Sequence, residues 1–176
     1  MSLRQQALQW VDGASELVPA KLRETLGLRA FGLAKVPMIA FTSPVVEELT
    51  DTRCVVRIPL SWRTRNHLGS LYFGALAVGA DTAGGLIAMR RIQRSGRKIS
   101  LVFKDFQASF LRRPEEDVRF VCEQGESIAE LVERAAASEE RVEMPVRVRA
   151  VVASLPESEP VADFTLTLSL KQRRRR

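Results

Sequence analysis

One histidine, one tyrosine and two cysteines stand in a chain of 176 residues, and each scarcity removes a class of chemistry. Cys54 and Cys122 lie far apart and form no CxxC pair, and a lone histidine cannot complete a Cys/His zinc set. Two buried, reduced thiols are therefore expected, with no metal site and no cofactor. The opening stretch MSLRQQALQWVDGASELV lacks an uninterrupted apolar segment and a cleavage-site pattern. A cytoplasmic protein is expected on that ground. Acid is scarce where the chain is most apolar: between Arg65 and Arg90 the only groups able to titrate are His67, Tyr72 and Asp81.

What is present is the ordinary mix of a globular chain, 45% hydrophobic and 27% charged, long enough for one domain with a proper core. The net charge of +6 belongs mainly to the end of the chain. Lys171 and Arg173 to Arg176 supply five of the 27 basic residues, leaving 22 against 21 acidic ones. A basic run without interleaved aromatics carries no nucleic-acid signature, so no specific nucleic-acid partner is expected and the run reads as a solvated tail.

Apolar positions recur at helical spacing over 2–11 (Leu3, Ala7, Leu8, Val11) and 15–28 (Leu17, Val18, Leu22, Leu26), with Asp12, Gly13 and Ser15 between them and a break or kink near Pro19. A Pro- and Gly-containing passage follows from Gly32 to Pro44. VVEELTDTRCVVRIPLSW then reads as strand, with Cys54, Val56 and Ile58 on one face and Arg53, Val55 and Arg57 on the other. Leu71 to about Ile92 is a helix of about six turns, closed by the Arg90, Arg91, Arg94, Ser95, Gly96 cluster. Four further strands read as a meander: SLVFKDFQASFLR, EDVRFVCEQ, VEMPVRVRAVVASL and VADFTLTLSLK. Between the second and third lies a surface helix, ESIAELVERAAASEER, whose apolar face is Ile128, Leu131, Val132 and Ala135, with Ser127 and Glu130 spaced as a capping box. The layout is α+β: one long apolar helix that a single antiparallel sheet must cover.

The central stretch RNHLGSLYFGALAVGADTAGG admits three readings. A membrane span has the length, but five glycines and a central carboxylate, which costs about 2.5 to 3.5 kcal/mol on insertion scales, oppose it. A plain core helix accounts for the small-residue rows Ala75, Gly79, Ala83 and Ala80, Gly84, Ala88, which let backbones approach closely. It leaves Asp81 unexplained, since a carboxylate is seldom buried without a partner. A functional site explains both.

Asn66, Gly69, Gly74 and Asp81 followed by Thr-Ala-Gly-Gly resemble the hotdog-fold acyl-CoA thioesterases of the phenylacetate-pathway type. The signature there is an asparagine, two residues, glycine, two residues, His-Gly-Gly, and an aspartate nine positions after the histidine. Here Tyr72 stands at the histidine position, Phe73 and Gly74 at the glycines, and Asp81 in register. FQASFLRRPEEDVRF is similar to that family's strand, Pro-containing turn and strand. The resemblance covers about residues 45 to 172 and belongs to an uncharacterised branch. It implies a hotdog fold, an antiparallel sheet wrapped around one long central helix, over 45–172, with 1–44 as a helical extension of the same domain and 173–176 as a basic tail.

Thioester hydrolysis needs donors for a developing oxyanion and a carboxylate that attacks the carbonyl or activates water. Free N–H groups at the helix start, around Tyr72 to Gly74, supply the donors, and the resemblance assigns the thioester oxygen to Phe73 N–H. Asp81 is the expected base or nucleophile, Asn66 would orient substrate or water, and Tyr72 and His67 are expected substrate contacts. Phe73 and Asp81 lie eight residues apart, roughly 12 Å along a helix, so one carbonyl cannot meet both in one chain. The resemblance implies a composite site across a homodimer, with a dimer of dimers open. Arg63, Arg65, Arg90, Arg91, Arg94, Arg97 and Lys98 flank the helix as candidates for the phosphates of coenzyme A. Two other outcomes stay open: a non-catalytic acyl-thioester or lipid-binding module, and an interaction protein using its arginine tail.

Overall fold

A computed structural model describes residues 19–157 and 159–173. The helix expected over 2–11, the first residues of the one expected over 15–28, and the last three arginines of the tail lie outside them. Pro19 is where helix α1 (Ala20–Lys35) begins, its carbonyl accepting from Leu22 and Arg23 N–H. The helix runs past the expected end at Leu28, and the passage read as irregular contains a short helix, α2 (Pro37–Phe41). Gly32 is a contact point here rather than a breaker, since a Cβ on it would fall 2.7 Å from Ala40 N. The corner comes at Val36, which precedes a proline and sits outside helical geometry at φ −138.

The strand expected over 45–62 is two strands, β1 (Val45–Leu49) and β2 (Cys54–Ile58), paired as a hairpin. Its turn contains neither Gly nor Pro. Thr50 closes it instead: the backbone N–H donates to Arg53 O at 2.8 Å and the hydroxyl accepts from Arg53 N–H at 2.9 Å. Within β2 the expected faces are present, with Cys54, Val56 and Ile58 fully buried inside. On the outer face Val55 packs with Val121 and Val151.

Helix α3 (Phe73–Arg94) follows, then β3 (Ile99–Phe110), β4 (Val118–Cys122), helix α4 (Gly125–Ala137), β5 (Val142–Val152) and β6 (Ala162–Gln172). The sheet order is β1-β2-β4-β5-β6-β3, every pairing antiparallel. Only β4, β5 and β6 form a meander. β3 pairs with β6 at the far edge, Leu101 opposite Leu170 and Phe110 opposite Ala162, while β4 pairs with β2. Asp117 anchors that crossing: its carboxylate accepts from Leu60 N–H and from Arg57, fixing the start of β4 beside the end of β2. Cys54 and Cys122 become cross-strand neighbours through this pairing, buried and free, with the Cys54 thiol pushed well up by burial.

Helix α4 buries the expected face, Ile128, Leu131, Val132 and Ala135. The expected capping box does not form. The helix starts at Gly125, two residues before Ser127, because Gly125 N–H donates to Thr52 O and its missing Cβ leaves space for Asp51 O. Helix α3 lies against the sheet through its small residues: Ala75, Gly79, Ala80, Ala83 and Ala88 are buried. A Cβ at position 79 would fall 2.3 Å from the ring of Phe120, itself fully buried. Among the described residues no helix is long and apolar enough to cross a membrane. Gly79→Ala adds one methyl group where none fits, and the overpacking outweighs the gain in helix propensity. Urea unfolding is expected to show a loss of about 1–3 kcal/mol with an unchanged m-value.

Candidate active site

The residues before α3 are held by their own side chains. Asn66 Oδ1 accepts from Leu68 N–H at 2.9 Å and Ser70 N–H at 3.2 Å, while Nδ2 donates to Ser70 Oγ at 2.9 Å. Gly69, at φ +82, turns the chain between them in a conformation that side chains avoid. Tyr72 N–H donates to Thr64 O and Leu71 N–H to Pro114 O, tying this loop to itself and to the β3–β4 connection. Asn66 is thus engaged in shaping the loop, at both ends of its amide.

The first helical bond of α3 is Leu76 N–H to Tyr72 O, so the N–H groups of Phe73, Gly74 and Ala75 precede it as free donors at the positive end of the helix. Tyr72, the N-cap, is extended at φ −67, ψ 139, and its ring lies over Gly74, where a Cβ would come within 2.5 Å of it. A cleft of about 530 Å³ opens at this point. Asn66, His67, Tyr72, Phe73 and Leu76 form one wall, and Phe110 to Pro114 the other. His67 is exposed, with no hydrogen bond from a described residue to fix its ring.

Aromatic rings run from the cleft into the core. Tyr72 and Phe73 have centroids 4.7 Å apart, Phe73 and Phe110 6.4 Å, Phe110 and Phe164 6.1 Å, and Phe164 and Phe120 6.2 Å. Phe120 is the ring that fills the space beside Gly79. The sequence reading of site residues omitted Phe110, Leu111, Arg112 and Arg113. Their signal is the FQASFLRRPEEDVRF passage, whose Pro-containing turn forms this wall.

Asp81 is not in the cleft. It lies eight residues along α3 from Phe73, half-buried, with no hydrogen bond or ion pair to any described residue. Burial raises its carboxyl above the usual carboxylate range. Helical spacing puts it on one stripe with Phe73, Ala77 and Gly85. Beside α3 runs β3, an edge strand with Phe106 and Phe110 exposed.

The basic residues divide. At the C-terminus of α3, Arg90 pairs with Glu24 at 3.2 Å, Arg91 donates to Asp51 O at 2.7 Å, and Arg94 contacts the Asp51 carboxylate. Arg91 and Arg94 latch the β1–β2 turn to the far end of the helix, away from the cleft, and Arg90 ties α1 there as well as lying 3.6 Å from Asp51. Arg112 and Arg113, in the cleft, pair with Glu159 and Glu115 at 2.9 and 2.8 Å. Among the described residues no group of three or more His, Cys, Asp or Glu is placed to hold a metal ion.

An antiparallel six-stranded sheet around a long central helix, with a cleft at that helix's start, is a hotdog fold. Solved structures share it. A protein of unknown function from Pseudomonas aeruginosa, described as a probable thioesterase, superposes with a TM-score of 0.70 at 22% identity, over 89% of this chain and 97% of that one. A protein of unknown function from Chlorobaculum tepidum gives 0.74 at 14% identity, over 87% and 97%. A thioesterase from Haemophilus influenzae gives 0.60 at 16% identity, over 82% and 90%. At these identities the likeness is one of fold. Residues 27–168 match the model of the family described as a domain of unknown function (DUF4442), and the chain belongs to that family. No curated protein matches the sequence.

Ionising Asp81 is the costly state, so the cost is absent below the ordinary carboxylate range, grows as pH rises from there towards the raised pKa, and is complete above it. Asp81→Asn removes it. Thermal melts are expected to show the variant more stable than wild type at pH 7, by up to a few degrees, with the difference vanishing towards pH 3.5.

Proposed function

We propose that the protein hydrolyses an acyl-CoA or a related thioester, with a fatty or aromatic acyl group, as a homodimer. The observation that carries this is Asp81: a half-buried carboxylate with no partner among the described residues, on a helix whose start offers free N–H groups beside an apolar cleft. Such an acid weakens the fold, and a reaction that uses it accounts for its presence.

The Phe73 and Gly74 N–H groups would hold the thioester oxygen as negative charge develops on it. Asp81 would attack the carbonyl carbon or take a proton from the attacking water, and the thiolate of coenzyme A would leave. At 1.5 Å per residue the donors and Asp81 of one chain are about 12 Å apart, too far for one carbonyl. The partner subunit's Asp81 closes that gap if two α3 helices run antiparallel across a two-fold axis. The edge strand β3, with Phe106 and Phe110 uncovered, is the surface such a partner would occupy. Tyr72, Phe73 and Phe110 would line the acyl group, His67 would contact substrate at the mouth, and Asn66 would act by holding the loop.

A second reading has its own observation. Phe73 puts a benzyl group beside the oxyanion donors and the Asn66 amide is already engaged, an arrangement that also suits a module that binds acyl thioesters without cleaving them. Thiol release from a panel of acyl-CoAs separates the two. Hydrolysis is expected for wild type, with kcat lowered about a hundredfold or more in Asp81→Asn. Equal rates in both proteins would remove Asp81 from the mechanism, and tight binding without thiol release would establish the binding module.

A further inference from the structure

The helical extension carries an exposed apolar surface that the proposed reaction does not use. All six residues from 33 to 38, where α1 turns into α2, are exposed. Leu33 is 74% exposed and Met38 58%, and Trp62, on the loop before α3, is 72% exposed. Leu33, Met38 and Trp62 thus present their side chains to solvent. Phe41 joins Trp62 edge-to-face at 6.5 Å. The Arg63 guanidinium lies 5.3 Å from the Trp62 ring and 6.0 Å from that of Phe41.

Charge decides what such a surface meets. No Asp or Glu occurs in residues 25–46 or 52–80, the two segments that build it. Lys35 and Arg65 are exposed and have no acidic partner among the described residues, and Arg63, besides its two ring contacts, donates to Ser43 Oγ at 3.2 Å. Protruding Leu, Met and Trp tips ringed by unpaired cations fit the headgroup region of an anionic bilayer, where apolar tips enter the acyl boundary and Arg and Lys meet phosphates. A second copy fits poorly, because a two-fold contact would set Lys35, Arg63 and Arg65 against themselves.

We propose that the α1–α2 corner, together with Trp62 and Arg63, docks this protein peripherally on anionic lipid surfaces. The loop that carries Trp62 continues through His67 and Leu68 to the cleft, so docking would bring the mouth of the site near the lipid. The docking stands on its own residues, whether or not the cleft hydrolyses thioesters.

The test is flotation of the full-length protein with vesicles of phosphatidylcholine alone and of phosphatidylcholine mixed with phosphatidylglycerol, without substrate. Binding to the anionic vesicles is expected to exceed that to neutral ones by about tenfold and to fall with salt. Trp62→Ser combined with Met38→Ser should lower it by about tenfold, with the circular dichroism spectrum unchanged since both side chains are exposed. In a Trp10→Phe background, Trp62 emission should shift to the blue on adding anionic vesicles. Absence of binding, equal binding to both vesicle types, or binding that the double variant leaves intact would overturn the proposal. So would loss of binding only when Arg173 to Arg176 are changed to Gln, which would assign it to the tail, or a concentration-dependent mass that the double variant abolishes, which would assign the surface to self-association.

Discussion

Phe120 occupies the space that a side chain at position 79 would need, and the rest of the structure is arranged around that contact. Because α3 presents glycine and alanine to the sheet, its backbone lies close to β2, β4 and β5, and the strands curl around it. The same closeness fixes the direction of the helix, with its free N–H groups at the cleft and its arginines at the β1–β2 turn. Asp81 then falls on a stripe that the sheet leaves only partly open. A helix held further out would have space to turn that carboxylate to water or to a neighbouring cation, and the site would lose its unpaired acid.

The charges support this frame in different ways. Asp51 gathers Arg90, Arg91 and Arg94 at one end of α3, an arrangement that also suits the negative end of a helix. On the outer face of the sheet, Glu47 bridges Arg57 and Arg119, and Glu123 bridges Arg53 and Arg149. Of these pairs, Arg149–Glu123 is exposed enough to contribute little to stability, while Arg57 and Glu47 are half-buried. Their effect is on association: a face already paired and charged offers little to a second sheet, so the uncovered apolar surfaces at β3 and at the α1–α2 corner are the places where contacts remain to be made.

Much of the fold was legible wherever one short-range pattern dominates. Helical spacing located α3 and the buried face of α4, and alternation located β2 and β6. Long-range pairing was not legible, because strands with similar alternation do not reveal which neighbour they take, and β3 went to β6. The β1–β2 turn was missed because Thr50 closes it without Gly or Pro, and α2 because Pro37 is as good a first helical residue as it is a breaker. Asn66, His67, Tyr72 and Phe73 are close in sequence and line one cleft, and helical rise alone separates Asp81 from them. The engagement of the Asn66 amide in its own loop, and the wall from Phe110 to Arg113, depend on tertiary contacts that residue spacing does not carry.

The central claim is that one site takes its donors from one chain and its acid from another, and subunit mixing tests it directly. Phe73→Pro deletes one N–H at a position where proline suits a helix, and Tyr72 before it is already extended. Asp81→Asn removes the acid. Each variant alone should be nearly inactive in thiol release, whereas an equal mixture, allowed to exchange subunits, should recover about a quarter of wild-type activity, because half of the dimers then hold one intact site of two. A mixture no more active than its components, under conditions where exchange is shown by mass, would contradict the composite site.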